Sequence, residues 1–325
     1  MSGVASLGRF SEISAPPRAN DVDMNPDQSR NAARRGLLWF GALVFAFSVT
    51  LEVSMARTGR PIGELGPMVL ALMWTPGLVS ILVRLVRREG FGDVSFRWGG
   101  AATWRALFWV IAYPTIVGAI AYGIAWGAGL ATFHPPASTF SVRPSTDFGR
   151  LALRYAAAVL PGTPLSLISA LGEEIGWRGY FVDRLVRAGI PRPLFVSGVV
   201  WGLWHVPLIL TGQYAAGPSP LLSAALFLVS IVPAAYLFGW ARLTTGSLWP
   251  AAFAHAAWNS IIQGVFDEST VAAAGRRASS IWTGESGLLV AATSAIFVLV
   301  FLRHEFAARS RPSAEPHATL SLRNA

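Results

Sequence analysis

The sequence predicts an all-α integral membrane protein, a polytopic bundle of about eight transmembrane helices, and three observations carry that expectation. Of 325 residues, 53% are hydrophobic and only 13% charged, roughly half the charged fraction of an ordinary soluble domain. Eight stretches are apolar over about the 20 residues that cross a hydrocarbon core. Arginine crowds the alternate connections between those stretches, as the positive-inside rule requires of a chain threaded back and forth.

The elements follow in chain order. Residues 1–30 are rich in Ser, Pro, Asn and Asp and have no apolar core, which predicts a disordered cytosolic tail. They also lack the apolar stretch of a cleaved signal peptide, so the first apolar helix is expected to stay in the mature protein. The spans are expected at 37–55, 65–86, 104–130, 151–171, 194–210, 221–243, 248–266 and 288–302. No Pro interrupts residues 173–186, so the fourth should continue as a helix to Arg187. The seventh carries His255 at its centre, and a half-inserted, re-entrant segment is the alternative there. Residues 91–100 and 133–150 hold the Gly, Pro and Ser of surface loops and form no domain of their own. No fixed-period repeat is visible, which disfavours a solenoid or a duplicated transporter. Residues 37–303 are therefore one bundle, 151–266 its chemically loaded part, and 304–325 a second cytosolic tail.

Orientation is read from arginine. With the amino terminus in the cytosol, inner connections carry Arg84, Arg87, Arg88, Arg97 and Arg105, then Arg184, Arg187 and Arg192, then Arg242, with Arg30, Arg34, Arg35, Arg303, Arg309 and Arg311 near the termini. Outer connections keep only Arg57, Arg60, Arg143, Arg150, Arg154, Arg276 and Arg277. This asymmetry and the even number of spans predict both termini in the cytosol and residence in the cell membrane. The lipid bilayer is then the first partner. The net charge of +9 does not argue for nucleic acid, because the arginines flank apolar segments instead of forming an aromatic-interleaved patch.

Several chemistries are absent. There is no Cys and no Lys among the 26 basic residues, which removes disulfides, thiolate ligands, cysteine nucleophiles, Schiff bases and Ser-Lys mechanisms. No G-x-S-x-G elbow, P-loop or Rossmann glycine pattern occurs.

What remains is a set of polar side chains where a bilayer tolerates them least: Glu173 and Glu174 with Arg178, then His205, then His255 with Asn259. Ionisable groups inside spans are costly and mark function unless paired or facing water. Glu173 lies eleven residues before Arg184, roughly 16 Å at helical rise; His205 lies roughly 17 Å past residue 194, and His255 roughly 10 Å past residue 248. The three groups thus fall at similar depth and are expected to converge on one water-sized cavity opening toward the cytosol. Glu174 and Arg178, four apart, share a helix face and suit an ion pair, leaving Glu173 free for chemistry. His255 and Asn259 are likewise four apart and could donate to an oxyanion. A carboxylate and an imidazole flanking water make a general-base pair. Trp201, Trp204 and Trp258 are candidates for a substrate groove or for plain packing. A zinc version with Glu173, His205 and His255 as ligands stays open but is not favoured, since Asn is a poor zinc ligand and no H-E-x-x-H occurs.

These residues resemble a known family. Glu173 to Arg178 is similar to the E-E-x-x-x-R motif of the CPBP family, the CAAX prenyl proteases and bacteriocin-processing (Abi) intramembrane proteases. Trp201 to His205 resembles its F-x-x-x-H motif, with Trp replacing Phe, and His255 to Asn259 its H-x-x-x-N motif. The resemblance spans roughly residues 151–266. It implies an intramembrane endopeptidase in which Glu173 and His205 activate water, His255 and Asn259 hold the oxyanion, and Glu174 and Arg178 support them. It implies a membrane-associated peptide or protein substrate and leaves open whether that substrate is prenylated and whether a metal takes part. A non-catalytic scaffold or immunity protein, or a small-molecule transporter using the same buried groups, is the competing expectation.

Overall fold

The computed structural model describes residues 25–136, 142, 144–215, 217, 219–272 and 281–309. Among these, eight long helical elements follow one another: α1 Pro26–Arg57, α2 Gly66–Val86, α3 Ala101–Gly127, α4 Asp147–Arg187, α5 Pro193–Leu210, α6 Pro220–Thr245, α7 Trp249–Trp258 continued by wide π turns over Asn259–Asp267, and α8 Leu288–Arg309. Seven of them, all but α7, are long and apolar enough to cross a membrane. The chain is an all-α, polytopic, integral membrane protein.

The surface follows from that setting. Leu38, Phe47, Trp104, Phe108, Ile120, Leu221, Ile296 and Val300 are all more than 45% exposed, an apolar coat that suits lipid and would be costly in water. Many polar side chains are turned inward, among them Ser48, Glu52, Glu173, Glu174, Arg178, His205 and His255.

Three departures from the sequence expectation concern boundaries and extent. The amino-terminal tail ends early, because α1 begins at Pro26 behind a capping box: the Asn25 side chain accepts from Asp27 and Gln28, and Gln28 answers the Asn25 amide. Asn at the cap, Pro at the first turn and Gln three residues on are a helix start that outweighs polar composition. At the other end α8 runs to Arg309, taking in the first six residues of the expected tail; residues 1–24 and 310–325, with Arg143, Arg276, Arg277 and Arg311, lie outside the described residues. A two-stranded antiparallel ribbon, β1 Ala131–Phe133 with β2 Thr270–Ala272, pairs Thr132 with Val271 where only loop was expected. Strands of three residues carry too little alternation to be seen in sequence.

The two ends of the bundle are built differently. At the end bearing the α2–α3 and α4–α5 connections, Arg84 and Arg184 are completely buried. Arg184 reaches Glu89 and Asp93 at 2.7 Å each, Arg84 binds Asp93 and donates to the Gly179 carbonyl at 2.9 Å, and Arg242 donates to the Asp93 carbonyl at 2.7 Å. Tyr180 lies under both guanidinium groups. The expected inner arginines therefore form a closed ionic plug as well as a topological signal. The opposite end carries the ribbon and the loops 211–219 and 281–287.

Contact between α2 and α4 sets the depth of the polar groups. A Cβ on Gly77 would stand 2.5 Å from the Gly172 carbonyl oxygen, and one on Gly172 would stand 2.7 Å from the Trp74 Cα. The two backbones touch, as small residues permit between membrane helices, and Glu173 follows directly. Helix α4 stays continuous, as expected, but widens into π turns at Ala158–Gly162, around Pro161, and at Trp177–Phe181. A π turn takes up a residue without breaking the helix and re-aims the side chains beyond it.

Candidate active site

Helix α4 supplies Glu173, Glu174 and Arg178, of which none is more than 2% exposed. The expected pair is present: Arg178 Nη1 lies 2.7 Å from Glu174 Oε1, both side chains wholly buried. The Arg178 guanidinium also stands 4.0 Å over the Trp201 ring, a contact that strengthens when desolvated.

Helix α5 supplies Trp201, Trp204 and His205. Trp201 was a candidate for a substrate groove or for plain packing, and its contacts are those of an internal brace. Its indole N–H donates to Glu173 Oε2 at 2.8 Å, its carbonyl accepts from His205 Nδ1 at 2.8 Å, and its ring meets His255 edge-on at 5.3 Å. A carbonyl can only accept, so the His205 proton sits on Nδ1 and Nε2 keeps its lone pair. The His205 ring is held between Trp204, Phe227 and Tyr214, with centroids 4.7, 5.0 and 5.7 Å away.

Helix α7 supplies His255 and Asn259. His255 Nδ1 donates to Glu174 Oε1 at 3.0 Å, and Nε2 faces Glu173 Oε1 across 4.0 Å. Asn259 begins the π turns of α7. Trp258 points elsewhere: its N–H donates to Glu285 Oε1 at 2.6 Å and its ring stacks on Tyr113, so it packs the bundle and does not line the site.

Glu173, His205, His255 and Asn259 line one cavity of about 130 Å³, with Trp204, Glu52, Tyr214 and Gln263 completing its polar wall. That volume holds several waters or a short stretch of peptide backbone. Glu174 and Arg178 stand behind this wall, outside the cavity lining.

The opening is not where the sequence suggested. The cavity shares Ile62, Tyr214 and Gln263 with a larger one of about 510 Å³, walled by Gly212, Gly217, Asp267, Glu268, Val271 and Glu285 among others. Helix α5 runs from the arginine-rich end to Leu210, so these loops lie at the opposite end. The expected arginine-rich cytosolic end, where Arg84 and Arg184 pair with Asp93, and the expected cytosolic opening therefore fall at opposite ends of the bundle.

Four polar wall residues were missed in sequence. Glu52 had a signal, since it is a lone carboxylate inside an apolar span and the rule that flagged Glu173 applies to it. Tyr214 and Glu285 had none, because loop residues become site residues only through tertiary contact, and Gln263 is aimed into the site by the π turns of α7. Glu285 accepts from Tyr214, from Trp258 and, at 3.0 Å, from Gln263, tying two loops to α7 at the mouth. Burial pushes its carboxyl above the usual carboxylate range, and those three donors pull it back.

The zinc alternative was tested against the donors present. Both His255 nitrogens are directed at carboxylates, and among the described residues no three His, Cys, Asp or Glu side chains gather closely enough to share an ion. The set does not fit the expected three-ligand geometry.

A buried acid, two imidazoles and an amide on one cavity inside a membrane bundle define a candidate intramembrane hydrolytic centre. Comparison with known proteins bears on this segment. Residues 155–261 match the family model described as type II CAAX prenyl endopeptidase Rce1-like, so that segment is similar to the CPBP/CAAX proteases. A CAAX prenyl protease 2 of Methanococcus maripaludis is 32% identical over 90 residues, covering 26% of this chain and 33% of that protein. The chain thus spans a third of the length of the curated relative it matches.

Trp201→Phe keeps the ring and removes the N–H held by Glu173. Loss of one hydrogen bond to a charged group is worth about 1.5–3 kcal/mol. The turnover of a cleavable membrane peptide is expected to fall about tenfold or more, and the melting temperature to fall with it, since the lost bond and the space left by the indole are both buried.

Proposed function

We propose that the protein is an intramembrane endopeptidase of the CAAX prenyl protease type, hydrolysing a peptide bond with water activated by Glu173 and His205. The observation that carries this reading is the single cavity shared by Glu173, His205, His255 and Asn259.

In this mechanism Glu173 takes the proton of a water lying between its carboxylate and His205 Nε2. The hydroxide adds to the scissile carbonyl, and the oxygen that becomes negative accepts from the Asn259 amide and from a protonated His255 Nε2. Glu174 holds the other His255 nitrogen, and Arg178 pairs with Glu174. The proton on Glu173 then passes to the departing amine. Such donors, aimed beforehand at developing charge, act most strongly where water is scarce. No resident metal is needed in this scheme. The substrate is a membrane-associated peptide or protein, and nucleic acid has no place.

With the arginine-rich end in the cytosol, both termini are cytosolic, the cell membrane is the residence, and the larger cavity faces the opposite side. The scissile bond is then reached from the extracytosolic end.

Asn259→Ala removes one oxyanion donor and is expected to lower kcat by about 10²–10³-fold with KM little altered. His205→Ala should abolish turnover. Both are read with purified protein and a quenched fluorescent membrane peptide. An Asn259→Ala enzyme with unchanged kcat removes the proposed oxyanion site.

A further inference from the structure

Glu52 has no part in the mechanism above and, among the described residues, no hydrogen-bond partner. It sits on α1 one turn after Ser48, whose hydroxyl accepts from Trp204 at 2.7 Å, and it is only 4% exposed. Neither carboxylate oxygen has a hydrogen-bond partner. Yet Glu52 lines the same 130 Å³ cavity as Glu173, His205, His255 and Asn259. An unpaired carboxylate in such a place carries a large desolvation cost, and buried groups of this kind call for a functional account.

The surroundings say what its partner is. The two neighbouring cavities, which share Ile62, Tyr214 and Gln263, are lined by five acidic residues, Glu52 and Glu173 in the inner one and Asp267, Glu268 and Glu285 in the outer. Among the described residues no arginine lines either cavity, although the whole chain carries 26 basic residues and a net charge of +9. Glu173 is held by Trp201, Asp267 by Tyr122, and Glu285 by Tyr214, Trp258 and Gln263. Glu52 is the acid of the inner cavity left without a donor. A wall of this sign favours a positive occupant, which also collects faster at an acidic mouth.

We propose that the cavity selects peptides bearing a cationic side chain, and that Glu52 receives the ammonium or guanidinium group of that side chain while the neighbouring bond meets Glu173. The inference rests on the protease reading and names its substrate class. The outer acids draw the basic residue inward from the extracytosolic end, and Glu52 fixes it by a charge-assisted hydrogen bond.

The test uses two fluorescein-labelled single-span peptides, identical except for one Arg or Gln near the extracytosolic end. Binding to the full chain in detergent is followed by anisotropy in the Glu173→Gln background, which prevents turnover. The Arg peptide is expected to bind about tenfold or more tightly than its Gln twin. Adding Glu52→Gln should bring that ratio to about one, whereas Glu52→Asp, which keeps the charge but shortens its reach, should leave it between the two. Should Glu52→Gln fail to fold, the Glu52→Asp ratio is the deciding measurement. Equal binding of both peptides in the presence of Glu52, or a ratio untouched by either substitution, overturns the proposal. Cleavage of the Arg peptide by the unmodified chain is scored separately. Selective binding without hydrolysis would count against the protease alone, and hydrolysis without selectivity against Glu52 alone.

Discussion

Glu173→Gln is expected to reduce hydrolysis of a membrane peptide by about 10³-fold or more, the contribution of a well-placed general base. The substitution is nearly isosteric, and the Trp201 N–H, 2.8 Å from Oε2, can still donate to the amide oxygen. The chain should therefore fold, extract and melt like the parent, so that the loss belongs to the chemistry. The measurement is single-turnover cleavage beside a thermal melt. Residual activity at the parent's level would remove Glu173 as the base and with it the hydrolytic scheme.

The second large effect falls on stability. In Arg178→Met the Glu174 carboxylate, fully buried and 2.7 Å from its guanidinium, keeps only the 3.0 Å contact from His255 Nδ1. Removing one partner of a buried ion pair costs about 3–5 kcal/mol, because the remaining charge stays desolvated. The lost packing of the guanidinium over Trp201 acts in the same direction. Denaturation in mixed micelles should show the drop, and Glu174→Gln added to Arg178→Met should recover much of it, since the stranded charge is gone. A single variant as stable as the parent would mean that the pair contributes little.

Much of this was legible in the sequence because membranes impose a simple code. Seven of the eight expected spans correspond to helices long and apolar enough to cross; the seventh, 248–266, is the shorter α7 with its π turns, and α1 starts eleven residues early behind the Asn25 cap. The Glu174–Arg178 pair followed from spacing four, and the shared cavity from rise per residue and arginine placement. Other features depend on distance in space. That Trp201 holds Glu173 and His205 at once requires α4 and α5 to be seen side by side. The cavity's direction turned on the pairing of Arg84 and Arg184 with Asp93 and Glu89, residues 91 to 95 positions apart for Arg184, which no local pattern encodes. The π turns at Trp177–Phe181 and Asn259–Asp267 likewise leave no signature in hydropathy.

The contact of Gly77 with Gly172 bears on how the chain is made. Helix α4 brings Glu173, Glu174 and Arg178 into the bilayer, and a lone acidic or basic residue at mid-membrane disfavours insertion by about 2.5–3.5 kcal/mol on the translocon scale. A nascent chain ending near Arg187 has α2 to dock against but neither Trp201 nor His255, so its acids wait for helices still in the ribosome. Release of α4 into lipid is thus tied to the synthesis of α5 and α7, and truncations between residues 190 and 250 should be cleared by quality control while longer ones persist.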